Sequence, residues 1–309
     1  MSEIITEEIP DSLAGERLDR VVSLMAEISR ADATTTIANG AVELDGVVAP
    51  TGKVRLKVGQ IVAVDISKIP QPILPGPDPT VVVDVVYSDE HIIVVNKSAG
   101  VVVHPGAGNN DHTLVNGLLA RFPEIAGVGE EHRPGIVHRL DIGTTGLLIV
   151  ARTQEAYEEL VAMMSLREVK RHYTALVWGH PSAPVGTIDA PIGRDPRNPL
   201  CMAVVASGKP ARTNYEVLET MADPDVSLVA CELETGRTHQ IRVHLQATGH
   251  PVVGDPQYGG ARMPLVIGRP FLHAGRLVFD HPLTGEPLEF TSELPADLQE
   301  VLERCRGEQ

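Results

Sequence analysis

The chain is short of the features that would name its chemistry at once. Its three cysteines, Cys201, Cys231 and Cys305, are scattered and form no CxxC pair. Neither a disulfide framework nor a thiolate metal site is therefore expected. No apolar run is long enough to cross a bilayer. The opening stretch, MSEIITEEIPDSL, is acidic and lacks the basic-then-apolar order of a signal peptide. A cytoplasmic protein without membrane contact is expected. A basic excess is missing as well: 26 Lys and Arg stand against 41 Asp and Glu, a net charge of -15. Nucleic-acid binders usually have the opposite balance, because phosphate neutralisation supplies much of their affinity. An RNA-binding surface on this chain must therefore be a local gathering of positive residues.

The common cofactor and hydrolase motifs are also absent. His239 and His244 lack the glutamate of HExxH, and the other histidines have no ligand spacing. Gly106-Ala107-Gly108 does not open a strand-to-helix turn, which excludes a dinucleotide fingerprint. Gly143 and Gly146 have no P-loop lysine, and no GxSxG is present. What remains is a carboxylate, arginines and a tyrosine, with no metal or cofactor motif.

What is present begins with punctuation. Residues 69–79, IPQPILPGPDP, hold five prolines, which cannot donate to a helix or a strand ladder. This marks a linker over 69–80 between a small domain at 15–68 and a large one at 81–309, with residues 1–14 as a flexible acidic tail. In the small domain, Leu18, Val21, Val22 and Met25 have helical spacing. Ser29 is a candidate N-cap for a second helix that stops at Gly40. AVELDGVVAP then alternates and turns at Asp45-Gly46, a hairpin signal. In the large domain, strands are expected at 81–87, 91–96, 135–138, 146–152, 172–179, 214–220, 225–234 and 271–279. Helices are expected at 112–122, 153–167, 238–249 and 294–305. Strand pairs outnumber strand–helix–strand units, so the fold class is α+β. It has a mixed, largely antiparallel sheet flanked by helices, preceded by a small α/β domain.

The densest polar cluster in an apolar setting is His138-Arg139-Leu140-Asp141, followed by Ile142-Gly143-Thr144-Thr145-Gly146. An arginine and an aspartate at the end of a buried strand are costly unless they pair or act. Alone, this reads as readily as a turn-capping Asp beside a solvated Arg. A second cluster, Gly236-Arg237-Thr238-His239-Gln240-Ile241-Arg242-Val243-His244, suits phosphate or carboxylate contact at a helix start, or a plain solvated face. A third, Lys170-Arg171-His172-Tyr173, opens an apolar strand, where a Tyr is usually packing.

Together and in order, these segments resemble the RluA family of RNA pseudouridine synthases. HRLDIGTTGL (138–147) looks like the family's HRLD motif. Asn96-Lys97-Ser98-Ala99-Gly100 with Val103-His104-Pro105 is similar to its NKPAG…VHP segment, with Ser98 in place of the usual Pro. RHYTALV (171–177), GRTHQIRVH (236–244), GHPVVGDPQYG (249–259) and Leu272-His273-Ala274 resemble its later motifs. Residues 15–68 resemble an S4 RNA-binding domain through Arg17-Leu18-Asp19, Ser29-Arg30, Gly40, Asp45-Gly46 and Gly59.

The resemblance implies that uridine is isomerised by breaking N1–C1′, turning the base and joining C5 to C1′. Asp141 is then the catalytic carboxylate, acting on the ribose by attack or by proton removal. Arg242 is its basic partner, and Tyr173 stacks on the uracil and is a candidate to take the C5 proton. Ile241 and Leu272 wall the base pocket, and Arg139 fills the gap left by the everted base. His138, Arg237, His239, Asn96 and Lys97 complete the substrate contacts. The implied partner is RNA, most readily large-subunit (23S) ribosomal RNA, bound by a monomer. The alternatives are a transfer-RNA synthase and a non-catalytic ribosome-assembly protein.

Overall fold

The computed structural model describes all residues except 1, 2, 29, 70–73, 107, 108, 110, 199, 200, 308 and 309. The Ser29 cap, residues 70–73 of the proline-rich stretch, and Ala107-Gly108 of the GxG lie outside the described residues. The chain divides into two units, residues 1–73 and 74–309.

The first unit holds β1 (Ile4–Glu8), α1 (Leu18–Met25), α2 (Arg30–Ala38), β2 (Val42–Leu44), β3 (Val47–Val48) and β4 (Ile61–Asp65). Its antiparallel sheet runs β1-β4-β2-β3. The apolar stripe of α1, read from its spacing, buries Leu18, Val21 and Val22 against Ile37, Val62 and Val64. Asp45 and Gly46 both have positive φ (53° and 76°), as a two-residue hairpin turn requires. The first residues differ from expectation. They are not a free tail: Ile4–Glu8 pairs with β4 from Ile4↔Asp65 to Glu8↔Ile61. The edge of β4 offers unpaired backbone groups, and Ile9 buries beside it, so backbone hydrogen bonds hold an acidic strand whose side chains stay in water.

The second unit continues with β5 (Val85–Ser88), β6 (Ile92–Lys97), α3 (Leu114–Arg121), β7 (Thr145–Ala151), α4 (Gln154–Leu166) and β8 (Lys170–Trp178). Then come β9 (Val185–Asp189), β10 (Ile192–Arg194), β11 (Met202–Val204), β12 (Arg212–Ala222) and β13 (Asp225–Leu233). The last elements are α5 (Gln240–Ala247), β14 (Leu272–Asp280), β15 (Pro287–Thr291) and α6 (Ala296–Arg306). Nine strands form one mixed sheet, ordered β5-β6-β7-β14-β8-β13-β12-β9, with β15 added to the second half of β14. All pairings are antiparallel except β7 with β14. Every residue of β7 is buried, because its two faces serve different cores. Leu148 and Val150 pack with α3 and α6, while Leu147 and Ile149 pack with α4. No helix of the described residues is long and apolar enough to cross a membrane.

Residues 135–138, expected as a strand, touch β7 by one bridge, Ile136 to Val150. Two residues on, the imidazole of His138 takes the Ile149 N–H at 3.1 Å and replaces the next rung of the ladder. The expected strand at 81–87 begins at Val85.

Candidate active site

The loop of residues 133–144, the start of β8 and residues 233–242 line one cleft of about 260 Å³. Asp141 lies in that loop with its side chain 15% exposed. Several bonds set the loop: Thr144 N–H to Asp141 O (3.0 Å), Gly100 N–H to Ile142 O (2.8 Å) and Arg269 Nη1 to Gly143 O (3.1 Å). Gly146 ends the loop with φ +114°, and a Cβ there would stand 2.3 Å from Ala274 O. Any side chain would push β7 off β14 and take the Asp141 loop with it.

Arg242, on α5, donates from Nη1 to Asp141 Oδ2 at 3.1 Å. Its other edge is clamped by Asp255, through Nε at 2.6 Å and Nη2 at 3.0 Å, in the two-pronged geometry suited to a guanidinium. Asp255 is fully buried and also accepts the Gln257 and Tyr258 N–H groups. Burial opposes the charge of Arg242, but the Asp255 bond and the two carboxylate charges outweigh it and push its pKa up. Arg242 therefore presents a permanent, rigidly aimed charge to Asp141.

The Tyr258 ring lies 4.9 Å from the Arg242 guanidinium. Its hydroxyl accepts the Met202 N–H at 3.0 Å and meets His239 Nδ1 at 2.7 Å. The other nitrogen of the His239 ring, Nε2, lies on the Asp141 side. That nitrogen lies 4.0 Å from Asp141 Oδ1. Tyr173 faces the cleft from β8, and burial pushes its pKa up to about 12. It holds its proton at neutral pH.

Of the residues singled out in the sequence, Asp141, Tyr173, Arg242, Arg139, His138, Ile241, Leu272, Arg237 and His239 all line this cleft. Arg139 is exposed, while Ile241 and Leu272 are buried walls. Arg237 spends its Nε on the Pro210 carbonyl at 3.0 Å.

Asn96 and Lys97 are not among the cleft residues, which corrects their reading as substrate contacts. The Asn96 side chain bonds Asp84 and Ser292. Lys97 is buried at the end of β6, with Nζ on the carbonyls of Ser98 (2.9 Å), Val101 (2.8 Å) and Ile142 (3.4 Å). Burial lowers its pKa to about 7 against the pull of Asp141. Its place is beneath the residue that follows Asp141, where it ties two loops together.

Sequence reasoning assigned no role to Asp255 or Arg171. Asp255 stands in the quoted GHPVVGDPQYG segment. A carboxylate inside an otherwise apolar run was the available signal.

His138 accepts the Ile149 N–H through Nε2, and burial pushes its pKa down to about 3. An unfolded histidine takes up a proton near pH 6.5, whereas folded His138 does so only near pH 3. Between those values the unfolded state binds the extra proton. His138 therefore costs stability as pH falls, at most about 1.4 kcal/mol per pH unit. His138→Gln keeps an acceptor for Ile149 and removes the titration. Urea unfolding at pH 7 and pH 4.5 is expected to show the variant losing about 2 kcal/mol less than the parent. Equal losses would mean that His138 titrates normally in the folded state.

The sequence model of the RNA pseudouridylate synthase family matches residues 91–247. The chain belongs to this family. It is an RNA pseudouridine synthase of the RluA type, and its substrate is RNA. It is 49% identical over 305 residues to an uncharacterized RNA pseudouridine synthase of Chloroflexus aurantiacus, covering 96% of this chain and 92% of that one. It is 40% identical over 303 residues to the ribosomal large subunit pseudouridine synthase D of Zymomonas mobilis, covering 94% of each. Among solved structures, human RNA pseudouridylate synthase domain containing 1 superimposes with a TM-score of 0.56 at 31% identity. That match covers 74% of this chain and 97% of the human one. In this synthase, the family match spans the Asp141 loop, Tyr173 and Arg242.

Proposed function

We propose that this synthase converts uridines of large-subunit ribosomal RNA to pseudouridine in the cytoplasm, with Asp141 as the catalytic carboxylate and no cofactor. The observation that carries the reading is the Asp141–Arg242–Asp255 chain opening into a cleft walled by Tyr173, Ile241 and Leu272. An everted uridine enters with its ring on Tyr173 and its ribose toward Asp141. Arg242 fixes the carboxylate and balances the charge that shifts as N1–C1′ breaks. Tyr173, with a pKa near 12, serves as a ring face rather than a ready base. The exposed Arg139 takes the space vacated in the RNA stack. Arg139 and Arg237 at the mouth of the cleft supply local positive charge of the kind that an acidic chain of net charge -15 needs.

The ribosomal assignment draws on the printed names of the Zymomonas mobilis and Xanthomonas campestris relatives. Residues 15–68 are proposed as an S4-like RNA-binding domain joined through 69–80 to a catalytic domain at 81–309. In that small domain, buried Asp19 anchors Arg17 and Arg30, whose side chains remain well exposed. Mapping pseudouridine in ribosomal and transfer RNA from cells lacking the protein tests the substrate. The expected result is loss of one or a few sites in the large-subunit RNA. Losses confined to transfer RNA would overturn it.

A further inference from the structure

Arg171 is a buried cation that the mechanism above leaves unused. It sits two residues before Tyr173 on β8, so both side chains project from the same face of the strand, and both line the cleft. It is 7% exposed. Among the described residues no carboxylate pairs with it. Its one hydrogen bond there is a long one, Nη2 to Leu233 O at 3.4 Å, and its Nε has no partner. The site makes room for it: a Cβ on Gly236 would stand 3.0 Å from Nη1. Beside it, His138 has spent Nε2 as an acceptor. Its proton is therefore on Nδ1, which is also buried without a partner. A desolvated guanidinium and an N–H that the protein itself leaves unbonded are unfavourable, and a group that brings negative charge relieves both.

Phosphates of the RNA backbone meet the exposed Arg139 at the surface, whereas Arg171 lies where the base enters. Breaking N1–C1′ leaves the bond's electron pair on the uracil ring, spread over N1, O2 and O4. Meanwhile C1′ bonds an Asp141 oxygen, or the C2′ proton passes to it. After the ring turns, C5 supplies a pair to C1′ and the bond or proton at Asp141 is returned. C5 then loses its proton and N1 gains one. The product is an isomer of uridine, with no oxidant or reductant.

We infer that Arg171 is a catalytic residue of this synthase, its guanidinium together with the His138 Nδ1–H taking up the negative charge that N1–C1′ cleavage places on the uracil. This rests on the proposed seating of the uridine between Tyr173 and Asp141. The same charge is present whether Asp141 attacks C1′ or removes the C2′ proton, so both routes use Arg171.

The test compares the parent enzyme with Arg171→Met and Arg171→Lys in single turnover at saturating RNA, the target base being uracil or 5-fluorouracil. Fluorine stabilises the departing ring anion and blocks the final C5 proton loss, so the reading is N1–C1′ cleavage, scored by nucleoside analysis. Arg171→Met is expected to slow the uridine reaction by about 10²–10³-fold, as loss of a charge-stabilising donor does. It should slow the 5-fluorouridine reaction at least about tenfold less, because the better leaving group needs less help. Arg171→Lys should recover part of the rate, and it supports the same comparison if the methionine variant does not fold. Equal slowing on both substrates overturns the inference, as does weakened RNA binding with an unchanged saturated rate. Asp141→Asn, assayed alongside, must be inactive on both RNAs. Turnover by that variant would overturn the reading of the site itself, which equal slowing alone would leave standing.

Discussion

Asp141→Asn is expected to lose pseudouridine formation by about 10⁴-fold or more while remaining folded, the scale of loss when an essential reacting group is removed. The substitution keeps the size of the side chain and an oxygen for Arg242 Nη1, now 3.1 Å from Oδ2. The loop does not depend on the carboxylate, because backbone bonds and the Lys97 and Arg269 side chains position it. Stability should therefore change by no more than about 1 kcal/mol, as for a partly solvated single pair. RNA affinity should hold or rise slightly, since a negative charge leaves the cleft. Single-turnover nucleoside analysis with a parallel unfolding curve measures both quantities. Appreciable turnover by a folded Asp141→Asn protein would mean that another group does the chemistry.

Arg242→Met separates structure from catalysis by way of Asp255. Removing the guanidinium leaves Asp255, 0% exposed, hydrogen-bonded among the described residues only by the Gln257 and Tyr258 N–H groups. Breaking such a buried pair from one side costs about 3–5 kcal/mol, mostly for the orphaned partner. Arg242→Met with Asp255→Leu removes the orphan and should return most of that stability. Activity should stay down in both variants by about 10²–10³-fold, because Asp141 has lost its aimed counter-charge. RNA affinity should change far less than rate, since Arg242 faces a carboxylate and not the RNA backbone. Urea unfolding and single-turnover rates on the single and double variants measure this. An active double variant would show that Arg242 exists only to neutralise Asp255.

Much of the site was readable from residues close in sequence. HRLD, the Tyr173 strand and GRTHQIR are local patterns, and nine of the eleven residues singled out there line one cleft. Helices with a clear apolar stripe, such as α1, and the Asp45-Gly46 turn were legible for the same reason. Their forces act within one turn of chain. Asn96 and Lys97 were misread because the motif that contains them shows conspicuous polar residues without showing which way they face. The edge strand β1, the short pair β10–β11 and the stub at 135–138 escaped because pairing depends on which edge happens to be open nearby.

The chain's own order of residues thus offered the candidate groups: Asp141 as carboxylate, Arg242 as guanidinium, Tyr173 as ring. Folding settled who touches whom. Asp141 and Arg242 are separated by 101 positions, and Thr145 reaches His273 across 128. Asp255 as the clamp on Arg242, Lys97 as a tie beneath Ile142, and Arg171 as a cation with no carboxylate partner among the described residues are facts of burial. Burial decides whether a charge is solvated, paired or free to act, and it is a property of the packed sheet that no short stretch of chain contains.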